Sequence, residues 1–169
     1  MSDLWHVSED PTIEVFHPHH HELLQLDEPL VWAVDSQHWW LYWFPRDCPR
    51  ACFNAKEDTT DEDVERWLDG DRERRVAVIE TGWLERFRSA RVYAYRLPPE
   101  TFEPWDKFFV SRGTVLPLEV VELGDLLARH ADAGIELRIA PTLYPLWDRV
   151  IRTTLDFSGI RLRNATLAS

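Results

Sequence analysis

The sequence predicts an α+β fold in a single domain spanning residues 1–169, and three observations carry that expectation. Short helical and extended segments are interleaved without the regular strand–helix alternation of a doubly wound sheet. The 6 glycines are scattered singly, so the chain has neither the GxGxxG turn of a dinucleotide fold nor a phosphate-cradling P-loop. The 169 residues are 44% hydrophobic and 12% aromatic, ample for a packed core, and no linker rich in Gly, Ser or Pro divides them.

LWHVSED opens a strand that sets Leu4, His6 and Ser8 on one side and Trp5 and Val7 on the other, and Asp10-Pro11 ends it. Ile13, Val15 and Phe16 form a short apolar segment. The run His17, Pro18, His19, His20, His21 and the acidic stretch up to Glu28 read as an exposed loop. Residues 30–34 form a compact apolar strand, Asp35-Ser36 turns and caps a helix over 38–44, and Pro45 stops that helix. Thr59 and Glu62 fit a capping box for a helix with Val64, Trp67 and Leu68 on one face. Asp61, Glu62 and Asp63 complement its positive end, and Gly70 sits at its finish. Residues 76–80 and 92–97 read as strands around a short helix that turns Trp83, Leu84 and Phe87 inward. Residues 108–111 and 114–123 extend the sheet, with Pro117 marking an edge or a bulge. A helix over 125–133 ends at Gly134, residues 136–139 are extended, and 143–154 is amphipathic through Leu146, Trp147, Val150 and Ile151. Residues 160–163 make a last short strand.

Charge narrows the partners. With 30 acidic and 19 basic residues the net charge is -11, which repels a polyanion and makes duplex nucleic acid a poor partner. A small anionic ligand fits, because two or three placed arginines outweigh a distant negative surface screened over about 8 Å. The sequence has no run of about 18 apolar residues and no charged-then-apolar leader, so neither a membrane span nor a signal peptide is expected and the protein reads as cytoplasmic. Cys48 and Cys52 are the 2 cysteines. A cytosolic setting and the intervening Pro49 favour two half-buried thiols over a disulfide.

In the block 30–54, Trp32, Trp39, Trp40 and Trp43 crowd against Arg46, Asp47 and Arg50. The block joins large apolar surface to guanidinium forks that clamp phosphate or carboxylate, which marks a pocket wall. Trp39, Trp40, Tyr42 and Trp43 cover more than one helical face, and core packing accounts for most of them. Prolines rigidify the Arg46–Arg50 loop, where either arginine clamps an anion or Asp47 and neighbouring acids pair with them structurally. His6 and Ser8 stand about 6.6 Å apart by strand rise and can bond one ligand edge; alternatively the imidazole bonds a neighbouring carbonyl. No GxSxG elbow is present and no third group orients the pair, which disfavours a serine hydrolase. His17, His19, His20, His21 and Glu22 offer metal-ligating atoms, but Pro18 and the lack of i, i+4 spacing favour a solvated loop, and no structural metal is expected.

The blocks LWHVSEDPTIEVFHP, LVWAVD, LYWFPRDCPR, VYAYRLP, VSRGTVLPLEVVELGDLL and LDFSGIRLRN resemble an uncharacterised bacterial family, a domain of unknown function, over nearly the whole chain. More distantly, a strand bearing His-x-Ser, an aromatic strand leading into a helix and later sheet strands resemble the ADP-ribosyltransferase-like proteins. That resemblance implies mixed, mainly antiparallel split sheets with short flanking helices, and NAD as cofactor. His6 and Ser8 match its first motif, which binds the ribose. Trp32 takes the neighbourhood of an aromatic hydroxyl or stacking ring, with Tyr42 as a helix-borne substitute, and Arg46 and Arg50 face the pyrophosphate by inference. The glutamate expected around KFFVSRGTV is missing: no carboxylate lies between Lys107 and Leu118, and Ser111 is the nearest polar group. Glu119 or Glu103 stands in only through an altered register. Losing a group that stabilises an oxocarbenium-like state is worth on the order of a hundredfold or more in rate. The resemblance therefore implies an NAD-dependent transferase, degenerate at its catalytic carboxylate, or a binder of a phosphorylated nucleotide-like small molecule. The alternative is a non-enzymatic protein whose exposed aromatics meet a protein partner. Transfer of a 2'-phosphate from RNA to NAD is disfavoured by the acidic balance.

Overall fold

The computed structural model describes residues 2–21 and 24–167. Among them the chain is α+β, with two mainly antiparallel sheets and four α-helices. It gathers into two compact units, Met1–Trp43 with Arg91–Gly124 and Phe44–Ala90 with Asp125–Ser169, where the sequence reading takes one domain over 1–169. Each unit is thus assembled from two separate stretches of chain. No helix among the described residues is long and apolar enough to cross a membrane.

Numbered along the chain, unit 1 holds β1 (Leu4–Ser8), β2 (Val31–Asp35), β5 (Tyr93–Leu97), β6 (Glu103–Trp105), β7 (Phe108–Ser111) and β8 (Glu119–Glu122). Unit 2 holds β3 (Arg50–Asn54), β4 (Arg75–Glu80), β9 (Ile135–Ala140) and β10 (Asp156–Ile160), with α1 (Asp61–Leu68), α2 (Leu84–Ser89), α3 (Leu126–Asp132) and α4 (Tyr144–Val150).

In unit 1 the strand order is β6-β7-β2-β1-β5-β8, and every pairing is antiparallel. One face carries a core of Leu4, Val31, Ala33, Tyr95 and Leu97, roofed by Phe16 and Val115. The roof is pinned by hydrogen bonds: the Tyr95 hydroxyl donates to Asp10 O at 2.5 Å and accepts from Ile13 N at 3.1 Å, while Phe16 and Val115 exchange backbone bonds. The apolar segment around Phe16 is therefore a roof over the sheet.

The helix expected over 38–44 is a single 3-10 turn, Trp39–Tyr42. Asp35 Oδ1 does accept the N–H groups of Gln37 and His38, so the capping chemistry is present. Pro45 leaves too few residues beyond it to complete an α-helical nucleus. The strand expected over 114–123 is shortened to β8, Glu119–Glu122, which begins after Pro117 and forms a sheet edge.

Unit 2 is built on the order β10-β3-β4-β9, with β9 parallel to β4 and the other pairs antiparallel. Ala51 and Phe53 of β3 and Val76 and Val78 of β4 pack with Val64 and Leu68 of α1 and with Leu143, Val150 and Leu155. Complete burial of a side chain such as Phe53 stabilises the fold by about 1.5–3 kcal/mol. Glu80, at the end of β4, is buried and accepts Leu143 N at 3.0 Å and Thr166 N at 2.9 Å, so its carboxylate ties two later segments to the strand.

Three local readings move. The cap of α1 is Thr60, whose hydroxyl accepts from Asp63 N. Thr59 is buried and bridges Lys56 N and Thr154 O instead. The last strand runs Asp156–Ile160, earlier than the expected 160–163, because Arg161 adopts a left-handed conformation and starts a 3-10 turn. Arg50, read as the end of the rigid Arg46–Arg50 loop, opens an interior strand of the sheet, Arg50–Asn54.

Candidate functional site

Residues opposite one another in an antiparallel ladder share a face. In unit 1 this sets Leu4, His6 and Ser8 beside Leu97, Tyr95 and Tyr93. Along the row, burial falls from the buried Leu4 and Tyr95 to the half-buried His6, Ser8 and Tyr93. Glu122 lies opposite Tyr93, so Ser8, Tyr93 and Glu122 form a polar row across three strands.

The His6 ring is held on two sides. Its Nδ1 lies 3.2 Å from Trp32 O, and a carbonyl accepts only, so the Nδ1 proton is directed there and Nε2 is the acceptor nitrogen of the neutral ring. Phe16 packs against it with ring centroids 4.8 Å apart. The bond to a neighbouring carbonyl expected from a strand histidine is present, and it fixes the tautomer. Ser8 Oγ accepts from Asp10 N at 3.1 Å where the chain leaves β1. Burial raises the Tyr95 hydroxyl above its ordinary range, which keeps it a neutral clasp for the roof.

Trp32 falls on the other face. Trp5 pairs with Val34, so Trp32, two residues from Val34, shares the Trp5 side of the sheet and its indole is turned away from the His6 imidazole. There it meets Phe108 at 5.8 Å, Trp105 at 6.2 Å and His21 at 5.6 Å, all edge to face. Trp32 Nε1 is buried without a hydrogen-bond partner among the described residues. His6 and Trp32 are thus joined through a backbone carbonyl, not as neighbouring side chains of one wall.

The other tryptophans of the block are mostly packing groups. Trp39 stacks on Trp5 at 4.4 Å and meets Trp43 at 5.1 Å, and Trp40 and Trp43 are buried. Tyr42 is half-buried at the end of the 3-10 turn.

The two arginines differ. Arg50 opens β3 and is 4% exposed; its Nη1 donates to Cys48 O at 3.0 Å and its guanidinium lies over the Phe44 ring at 4.8 Å. Arg46 is exposed and has no ion-pair partner among the described residues. Its neighbour Asp47 is left-handed at φ 66 and is fastened through its carbonyl to Asn164 Nδ2 at 2.8 Å. The prolines therefore brace a loop that presents Arg46 while turning Arg50 inward. Cys48 and Cys52 are free and fully buried, not half-buried. Burial pushes both thiols up to about 12, the signature of inert structural cysteines.

Of the candidate carboxylates, Glu119 is bonded to Arg96 Nε at 2.7 Å, and Glu103 pairs with Arg112, which also holds Glu28. Ser111 is buried on β7. In the histidine loop, His17, His19 and His20 are exposed, and Glu22 lies outside the described residues. No group of three or more His, Cys, Asp or Glu among the described residues is gathered to hold a metal. Sequence reasoning missed Tyr93. The alternation of VYAYRLP was its only signal, and that pattern does not say which strand lies alongside.

Fold and site together define an α+β protein with a His-x-Ser strand in the interior of an antiparallel sheet. Within that class, the chain belongs to DUF6886, a family of unknown function whose model matches residues 5–165. No curated protein and no solved structure matches it.

Proposed function

We propose that the chain binds a phosphorylated, nucleotide-like small molecule, with NAD as the leading candidate, at the His6 and Ser8 edge of β1, on an architecture like that of the ADP-ribosyltransferases. The observation that carries the reading is the shared face of His6, Ser8 and Tyr93, where buried packing gives way to half-buried polar groups. A ring acceptor, a hydroxyl and a phenol within three adjacent positions suit the two hydroxyls of a ribose. The tautomer set by Trp32 O supports this, because it assigns His6 Nε2 the accepting role.

In this reading Trp32 acts through its carbonyl, and Tyr93 supplies the aromatic hydroxyl for which Trp32 and Tyr42 stood in. Separately, and within unit 2 alone, the exposed Arg46 is a candidate contact for a small anion, and Arg50 supports the loop that carries it. The pairing of Glu119 and Glu103 with arginines favours binding without efficient transfer, so the protein is a degenerate transferase or a nucleotide binder of cytoplasmic origin.

Isothermal titration with NAD and with ADP-ribose tests it, on the wild type and on His6→Ala and Ser8→Ala after circular dichroism has confirmed their folding. Saturable binding that weakens in both variants supports the proposal. Absence of saturable heat at millimolar ligand overturns it.

A further inference from the structure

The exposed apolar side chains of unit 1 are concentrated away from the tryptophan block. Leu116, Leu118, Val120 and Val121 are 63%, 53%, 47% and 37% exposed, four large apolar groups within six residues on the approach to β8 and along it. β8 is the outermost strand on its side of the six-stranded sheet. In an antiparallel ladder alternate residues direct their N–H and C=O toward the partner and the rest point outward. Leu123 N bonds to Val92 O toward β5, and the register pairs Val121 with Ala94 and Glu122 with Tyr93. The backbone groups of Val120 and Glu122 therefore point away from β5.

Edge strands are ordinarily blunted by charge, by proline or by a covering element. Here Pro117 lies before the strand, and Glu119 is drawn back onto the sheet by Arg96 at 2.7 Å. Glu122 has no ion-pair partner among the described residues and is the charge an incoming strand meets. We infer that β8 is a docking edge for an extended, basic segment of a partner protein, which adds a strand beside Val120 and Glu122 and sets Lys or Arg against Glu122. A second copy of the chain is the wrong occupant on charge: each copy carries a net charge of -11 and would bring Glu119 and Glu122 against their own counterparts. This inference is independent of the reading of His6 and Ser8.

The test is amide hydrogen exchange of the full chain with a capped heptapeptide of alternating lysine and valine, and with its glutamate–valine counterpart. The lysine peptide is expected to slow exchange at Val120 and Glu122 by at least about tenfold at saturation, and the glutamate peptide to leave it unchanged. Val120→Pro removes an outward N–H without breaking a bond to β5 and is expected to abolish binding in a folded protein. The wild-type result stands alone if that variant fails to fold. Three results overturn the inference: no slowing at millimolar lysine peptide, equal slowing by both peptides, or protection without peptide accompanied by a dimer in sedimentation.

Discussion

Acidification is expected to destabilise the protein through one residue, His130. It sits in α3, 1% exposed, with Phe44 and Phe87 edge-on at 5.1 and 5.3 Å. Its Nδ1–H donates to Leu126 O at 2.7 Å, so charging the ring means adding a proton at Nε2. Burial makes that unfavourable, the nearby Arg129 and Arg75 charges add to it, and together they bring the group from 6.5 down to about 4. The unfolded chain therefore takes the proton first as pH falls. Stability is full above the unfolded value, declines between 6.5 and about 4, and is constant with respect to this group below that. Linkage gives a loss of about 2 kcal/mol between about pH 7 and about pH 5, and about 3 kcal/mol in all. The carboxylates held below their usual range, Asp63 and Glu136, lose their contribution as pH falls through their ordinary values of 3.8 and 4.5 and below, so the interval from about pH 7 to about pH 5 lies above their windows. Urea unfolding of the wild type and of His130→Leu, followed by circular dichroism at several pH values, isolates the term, because the shared carboxylates cancel in the difference. Stability curves that run parallel between about pH 7 and about pH 5 would refute the reasoning.

Other perturbations follow from the same packing. A Cβ at Gly159 would lie 2.5 Å from Leu162 Cδ1 and 2.6 Å from Trp147 Cη2; Gly159→Ala is expected to destabilise by about 1–3 kcal/mol, read as a lower melting temperature. Arg50→Lys loses a buried fork over Phe44 and is expected to destabilise by about 1–3 kcal/mol, whereas the exposed Arg46→Ala changes stability by less than about 0.5 kcal/mol. Equal melting temperatures for these two variants would contradict the placement of Arg50. With both thiols pushed up to about 12, an aromatic disulfide reagent at mildly alkaline pH should be silent in the native state and react twice per chain in urea. Rapid native labelling would contradict their burial.

Local chemistry was legible wherever a short stretch decides its own conformation. β7 occupies the expected residues, Asp125 caps α3 through Ala128 N, and Gly134 follows that helix at φ 70. β3 was hidden for a physical reason. Arg50, Cys52 and Asn54 alternate with Ala51 and Phe53 as on a half-exposed strand, yet four of the five are buried. The polar alternation comes from an arginine and a thiol buried inside the fold, which sequence periodicity reads as solvent exposure. The capping residue was misplaced by one because two adjacent threonines offer the same hydroxyl, and only the remote Thr154 carbonyl claims Thr59.

The candidate site was legible along a strand and illegible across strands. His-x-Ser alternation fixes that His6 and Ser8 share a side, since the side-chain period of two is a property of the backbone. That Trp32 belongs to the opposite side depends on the pairing of Trp5 with Val34, whose partners are far apart in sequence. A slip of one residue would have brought the indole to the His6 face. Tyr93, an aromatic group that does share that face, lies still farther along the chain and reaches Ser8 only because β5, not a sequence neighbour, flanks β1. The same logic separates Arg46 from Arg50: their spacing in a proline-braced loop suggested a shared task, but one lies within the loop and the other opens an interior strand. Residue types therefore indicated which groups have binding chemistry. Register decided which of them stand together, and it leaves His6, Ser8 and Tyr93 as the set on which titration with a ribose-bearing ligand should bear first.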